Sequence, residues 1–202
     1  MPITVPIRRL LIALAAALLA SAALIGSGVS AASAAEGNQK LMRLLDQCDK
    51  AAFDADPLFA GVCSIDSGSV TPARFAADLA RGGNNNWWIN NREETIKAGQ
   101  QLVIRNDGGD LHTFTDVTAT GYTKSCLDTV FAPPGGLPAP LQFSRAVAAT
   151  DPAPTLSQCL SAFPADFVIP GAAAQPRSLA PGTHLIQCLI HPWMRTIVHV
   201  QA

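Results

Sequence analysis

The chain has 202 residues, 14 Lys and Arg against 15 Asp and Glu, and a hydrophobic fraction of 49%. That length holds one domain with an extension or two very small domains, and the apolar fraction supplies a real core. With no basic run, the near-neutral charge makes nucleic acid and anionic membrane surfaces poor partners.

The first 35 residues read as a secretory signal peptide. Arg8 and Arg9 precede an apolar run from Leu10 to Ile25, and small residues follow from Ser30 to Ala35. Charge, apolar core and an A-x-A-like end are the marks of an export signal cut near Ala34 or Ala35. The paired arginines leave Sec and twin-arginine export both open. An uncleaved anchor is the alternative, for which the run is short. Removal of residues 1–35 takes away two arginines and no acids, leaving 12 basic against 15 acidic residues and a net charge of −3. The expected location is periplasmic or extracellular, with membrane contact only through the signal segment if it is uncleaved.

Residues 36–82 read as a helical N-terminal extension. From Asn38 to Ala52, Leu41, Leu44, Leu45 and Cys48 recur at helical spacing. A second helix is expected from Thr71, a capping residue, through Pro72 in the first turn to Gly82 at the end. Leu41, Leu45, Phe75 and Leu79 are expected to pack on a sheet.

From residue 83 the pattern changes to strands. Trp87 to Asn90, Thr95 to Lys97 and Gln101 to Asn106 are rich in β-branched and aromatic residues, with a turn at Ala98-Gly99. Asn106 to Asp110 is turn-rich, and His112 opens a further strand with Phe114 and Val117. Between about 118 and 178 the chain reads as an irregular insertion: ten of the fifteen prolines lie from Pro133 to Pro181, and only Phe167 to Ile169 reads as a strand. Strands resume at His184 to Cys188 and Thr196 to Val200. The expected fold is all-β, a sandwich or barrel.

Five cysteines are present: Cys48, Cys63, Cys126, Cys159 and Cys188. An oxidising compartment permits disulfides, and one cysteine must remain over. Cys188 is left free because it stands in a donor cluster, and proximity in sequence then favours Cys48–Cys63 and Cys126–Cys159.

That cluster is Cys188, His191 and Met194, within seven positions at a strand–loop–strand junction. A thiolate, an imidazole and a thioether suit an ion that cycles between Cu(I) and Cu(II), and His112 can supply a second imidazole from another strand. The expected metal site is therefore His112, Cys188, His191 and Met194 around one copper of type 1, trigonal with a weak axial Met. Zinc is the competing ion, but Met is a poor zinc ligand and structural zinc prefers two or more thiolates. Taken singly, Cys188 and Met194 could be apolar core and His191 a surface residue; the joint spacing argues for the metal. His184 shares a strand face with Cys188 but is not expected to be a ligand, and His199 is expected to be partly exposed.

The segment Cys188-Leu-Ile-His-Pro-Trp-Met194-Arg-Thr-Ile-Val-His-Val200 resembles the copper loop of the amicyanin and plastocyanin group of blue copper proteins, the cupredoxins. Lys97-Ala-Gly-Gln-Gln-Leu-Val-Ile-Arg-Asn106 followed by His112, and Pro181-Gly-Thr183, fit the same group. The resemblance spans roughly 87–117 and 178–202. It implies a Greek-key β-sandwich over 83–202, the same four ligands, and one-electron transfer with a transient redox partner protein. Two features depart from the group. Thr113 stands where an Asn often ties the ligand segments together, and its hydroxyl could take that role. The extension and the insertion are additions to a minimal member. If His191 reaches the surface as the resemblance implies, Pro192 and Trp193 frame an apolar docking patch; otherwise Trp193 packs inward against the insertion.

The expected function is thus an exported electron carrier and not an enzyme. A periplasmic copper chaperone or storage protein, and a structural module that has lost redox function, are the alternatives. A multicopper oxidase or nitrite reductase would need more histidines than the four present.

Overall fold

The computed structural model describes residues 38–132, 142–162 and 165–202. The expected signal segment, 1–35, lies outside the described residues. Two four-stranded sheets face each other across a core. The first has the order β2 (Trp87–Ile89), β1 (Gln39–Asp46), β4 (Gln101–Asn106), β8 (Arg177–Ser178). The second has the order β3 (Glu93–Lys97), β10 (Arg195–Gln201), β9 (Gly182–Gln187), β6 (Thr115–Asp116). A short pair, β5 (His112–Thr113) with β7 (Phe167–Val168), sits at one end. The chain passes from one sheet to the other between β2, β3 and β4, so both are mixed: β1 runs parallel to β4, and β3 parallel to β10. The expected all-β sandwich is present, with two disulfides and few helices.

Alternation builds the core. In β4, Leu102, Ile104 and Asn106 are buried while Arg105 is exposed. In β10, Thr196, Val198 and Val200 point inward. Met42 and Leu44 from β1, Ile96 from β3 and Ile186 from β9 complete the packing. Burying each such side chain contributes about 1.5–3 kcal/mol relative to leaving it in water.

The segment 38–82 corrects one expectation. Residues 39–46 form a strand, not a helix, and that strand is central, paired with β2 on one side and β4 on the other. Leu41 is consequently 39% exposed, while Met42, Leu44 and Asp46 face the core. Helices follow at α1 (Lys50–Ala55) and α2 (Pro72–Ala80). Thr71 caps α2 by accepting from the Arg74 N–H, Pro72 occupies its first turn, and Phe75 and Leu79 are buried as expected.

The insertion is less irregular than its prolines suggest. Its described residues include α3 (Cys126–Thr129), a 3₁₀ turn at Phe143–Ala146 and α4 (Leu156–Ala162). Cys48–Cys63 and Cys126–Cys159 are both bridged, and Cys188 is free and buried.

Candidate metal centre

Three loops meet at one end of the sandwich. The β9–β10 connection brings Cys188 and His191 together by turning tightly: the Cys188 N–H donates to the Met194 carbonyl at 3.0 Å, and the Met194 N–H to the His191 carbonyl at 2.9 Å. The β4–β5 loop carries Asp110 and delivers His112. The end of β1 delivers Asp46. One ligand atom from each of His112, Cys188 and His191 lies within 4.8 Å of the other two, and all three residues are buried.

Met194, the fourth expected ligand, is 1% exposed and belongs to the same core cluster. Its backbone closes the loop as described. Thr113 takes the tying role anticipated for it. Its hydroxyl accepts from the Leu189 N–H at 2.8 Å, and its own N–H points at the Cys188 sulfur at 3.3 Å. The His191 N–H reaches that sulfur at 3.4 Å. Two backbone donors directed at one sulfur favour its anionic form.

The titrating groups agree with this. Burial alone would raise the Cys188 thiol, but the His112 and His191 rings packed beside its sulfur outweigh it and hold the thiol well below its ordinary value. Burial would lower His191; the charge and hydrogen bond of Asp110, then Cys188, instead push it up to about 10. Burial likewise works against His112, yet Asp46 and Cys188 raise it. Asp46 is held far below the usual carboxylate range: burial opposes this, but His112 and Ser67 donate to it and prevail.

The donors fit a copper ion. A soft thiolate, two imidazoles and a buried thioether-bearing loop suit copper better than zinc. One atom is left asking for a partner: His112 Nδ1 is buried without a hydrogen bond, while its Nε2 is taken by Asp46 at 3.1 Å. A buried ring nitrogen with no partner is rare and calls for a ligand or ion.

His191 departs from the surface position that the resemblance implies. It is 1% exposed. Its ring packs 5.5 Å from Phe143 of the insertion and 5.4 Å from Trp193. Trp193 lies stacked on Phe143, with 8° between the planes, and donates its Nε1–H to the Trp87 carbonyl. Pro192 is buried as well. The expected docking patch around an exposed His191 edge is therefore absent; Trp193 packs inward. The remaining histidines stand apart. His184 bonds Asp116 and the Ala180 carbonyl, and partly exposed His199 bonds Glu93 and Thr183.

Sequence reasoning missed four participants: Asp46, Asp110, Trp87 and Phe143. A signal existed for one. Two glycines precede Asp110, and a Cβ on Gly108 would lie 2.0 Å from the Asp46 carboxylate. The Gly-Gly pair marks a close approach. Asp46 and Phe143 had no local signal.

The chain matches no known protein-family profile and no curated protein. Solved structures that resemble it are variants of amicyanin. A Cu(I) form of a methionine-to-alanine variant is 17% identical, covering 62% of this chain and 89% of its own, with a TM-score of 0.32. A reduced tryptophan-to-tyrosine variant gives 18%, the same coverage and 0.32. A reduced proline-to-phenylalanine variant gives 17%, 55% and 70% coverage, and 0.29. The fold assignment rests on the strand pairing, and the metal assignment on the donors.

Proposed function

We propose that this chain is an exported type 1 copper protein that holds one copper through His112, Cys188, His191 and Met194 and carries single electrons to and from a protein partner. The supporting observation is the buried convergence of two imidazoles on one free thiol, with a ring nitrogen of His112 lacking any other partner. Copper held there would supply one-electron chemistry by alternating between Cu(I) and Cu(II).

The protein's part is to fix the donors and exclude water. His112, Cys188 and His191 are each at most 1% exposed, so the site has no opening for a substrate. That supports a carrier over an enzyme. Thr113 and the Cys188–Met194 turn lock two ligand segments to each other, which limits rearrangement between oxidation states. The aromatic cover over His191 also argues against a chaperone, which must release its ion readily. Two disulfides fit an oxidising compartment and so the exported location.

The test is the visible spectrum of the mature protein with Cu(II), beside Cys188→Ala. An intense thiolate-to-copper band, absent in the variant, is expected. A colourless copper-loaded wild type overturns the reading. Voltammetry set against the rate of copper loss to a chelator separates electron carriage from ion delivery: a reversible couple with slow loss is expected.

A further inference from the structure

Each candidate ligand imidazole has a buried carboxylate behind it. His112 Nε2 lies 3.1 Å from Asp46 Oδ2, and His191 Nε2 lies 3.1 Å from Asp110 Oδ2. The two carboxylates are themselves joined, because the Asp110 N–H donates to Asp46 Oδ2 at 3.0 Å. Each is held from several other directions. Asp46 also accepts from the N–H groups of Cys48 and Gly109 and from the Ser67 hydroxyl. Asp110 accepts from the Leu111 N–H and from Trp87 Nε1. Neither can swing away from its ring without leaving these donors buried and unpaired.

We infer that Asp46 and Asp110 are positioning residues for the metal, each taking the Nε2–H of one ligand ring and so presenting its Nδ1 to the ion. A carboxylate can only accept, so the hydrogen on each ring is fixed at Nε2. The lone pair is then on Nδ1. For His191 that atom is 3.7 Å from the Cys188 sulfur; for His112 it is the buried nitrogen without a partner. Such outer partners set the ring orientation and increase ligand basicity. A second consequence is electrostatic. Two buried carboxylates beside the ligands stabilise the higher charge of a bound ion more than the lower, in an interior that screens weakly. They therefore favour Cu(II) over Cu(I) and lower the reduction potential. This inference rests on the copper reading above.

Two measurements test it. In wild type with ¹⁵N-labelled histidine, loaded with Cu(I), both ligand rings should keep a hydrogen on Nε2 and show metal-shifted Nδ1. Ligation through Nε2 at either ring overturns the assignment. In Asp46→Asn and Asp110→Asn, Cu(II) affinity should fall about 10–100-fold. Cu(I) affinity should fall less, and the potential should rise by about 59 mV for every tenfold difference between the two losses. Folded variants with wild-type affinity and potential overturn the inference while leaving the copper site intact. If Asp46→Asn does not fold, Asp110→Asn and the wild-type ring assignment decide. A wild type that binds copper without a thiolate band sinks the copper reading and this inference with it, a result separate from unchanged variants.

Discussion

Segments 38–82 and 118–178 are each closed by a disulfide, and both reach the same pair of imidazoles. They do opposite things there. The first enters the sheet as β1 and brings a charge: Asp46, fully buried, behind His112. The second adds only the short marginal strands β7 and β8 and brings a hydrocarbon: Phe143, laid over His191 and Trp193. It is fastened to the ligand loop by Ser125, whose hydroxyl donates to the Ile190 carbonyl at 2.8 Å, and by the Cys126 N–H on the Leu189 carbonyl. One segment builds the site from within; the other closes it. Stability and metal binding should respond differently to damage in each.

The largest effect is expected where the two segments touch. Phe75 of α2 is 2% exposed. It packs on Phe53 and Phe59 of its own segment, on Trp87 at 4.7 Å, and on Phe143 at 5.7 Å across from the insertion. Phe75→Ala should cost about 3–5 kcal/mol, read by urea unfolding of the copper-free protein. It should also speed copper loss, since Trp87 and Phe143 both border His191. A cost below about 1 kcal/mol would mean the segments are held independently.

The disulfides sharpen the contrast. Cys48–Cys63 closes a separation of 15 residues and Cys126–Cys159 one of 33. In the chain-entropy view their loss costs about 3 and about 4 kcal/mol respectively. The order should reverse for metal. Cys48 is two residues from Asp46 and donates to it, so C48S/C63S should weaken equilibrium copper affinity more. C126S/C159S should loosen the cover, accelerating both uptake and loss while shifting affinity less. Equal affinity losses in the two would erase the distinction between builder and cover.

These segments are also where the sequence misled. The strands around the ligands are readable because their patterns are uninterrupted: β4 and β10 alternate cleanly, and the Cys188–Met194 spacing is compact. In β1 the inward positions are Met42, Leu44 and Asp46. The buried Asp breaks the period of two, and exposed Leu41 completes a false period near four. The residue that hides the strand is the one that positions His112, so local pattern and function conflict there. Phe143 was unreadable for another reason. Its contacts with His191 and Trp193 span 48 and 50 positions, and no periodicity encodes such distances. The exposed His191 edge was expected from a resemblance that lacks this insertion, and the cover is what changes it.

Phe143→Ala isolates the cover. The side chain is partly buried, so the stability cost should be about 1–3 kcal/mol, below that of Phe75. Copper loss to a chelator should become severalfold faster, with the thiolate band unchanged because no donor is touched. A changed band with unchanged exchange would make Phe143 part of the donor geometry instead.

The smallest effect lies on the His184–Asp116 pair, which belongs to neither segment and so marks the limit of the comparison. His184 Nδ1 lies 2.7 Å from Asp116 Oδ2. Burial pulls His184 down, but the Ala180 carbonyl and Asp116 outweigh it and raise it above its ordinary value. Burial pulls Asp116 up, but the Thr118 hydroxyl and N–H, then His184, hold it below the usual carboxylate range. A raised imidazole adds stability at pH below its unfolded value of about 6.5 and loses it as pH rises through the folded value. A lowered carboxylate adds stability above about 4 and loses it as pH falls through the folded value. The pair is therefore worth most between roughly pH 4 and 6.5. Because Asp116 is partly exposed, the contribution should reach at most about 1 kcal/mol. In the copper-free protein, His184→Gln should lower Tm by about 2–4 °C near pH 5.5, with the difference shrinking toward pH 9. A difference that stays flat over that range would show that His184 acts by packing and its bond to Ala180, not by charge.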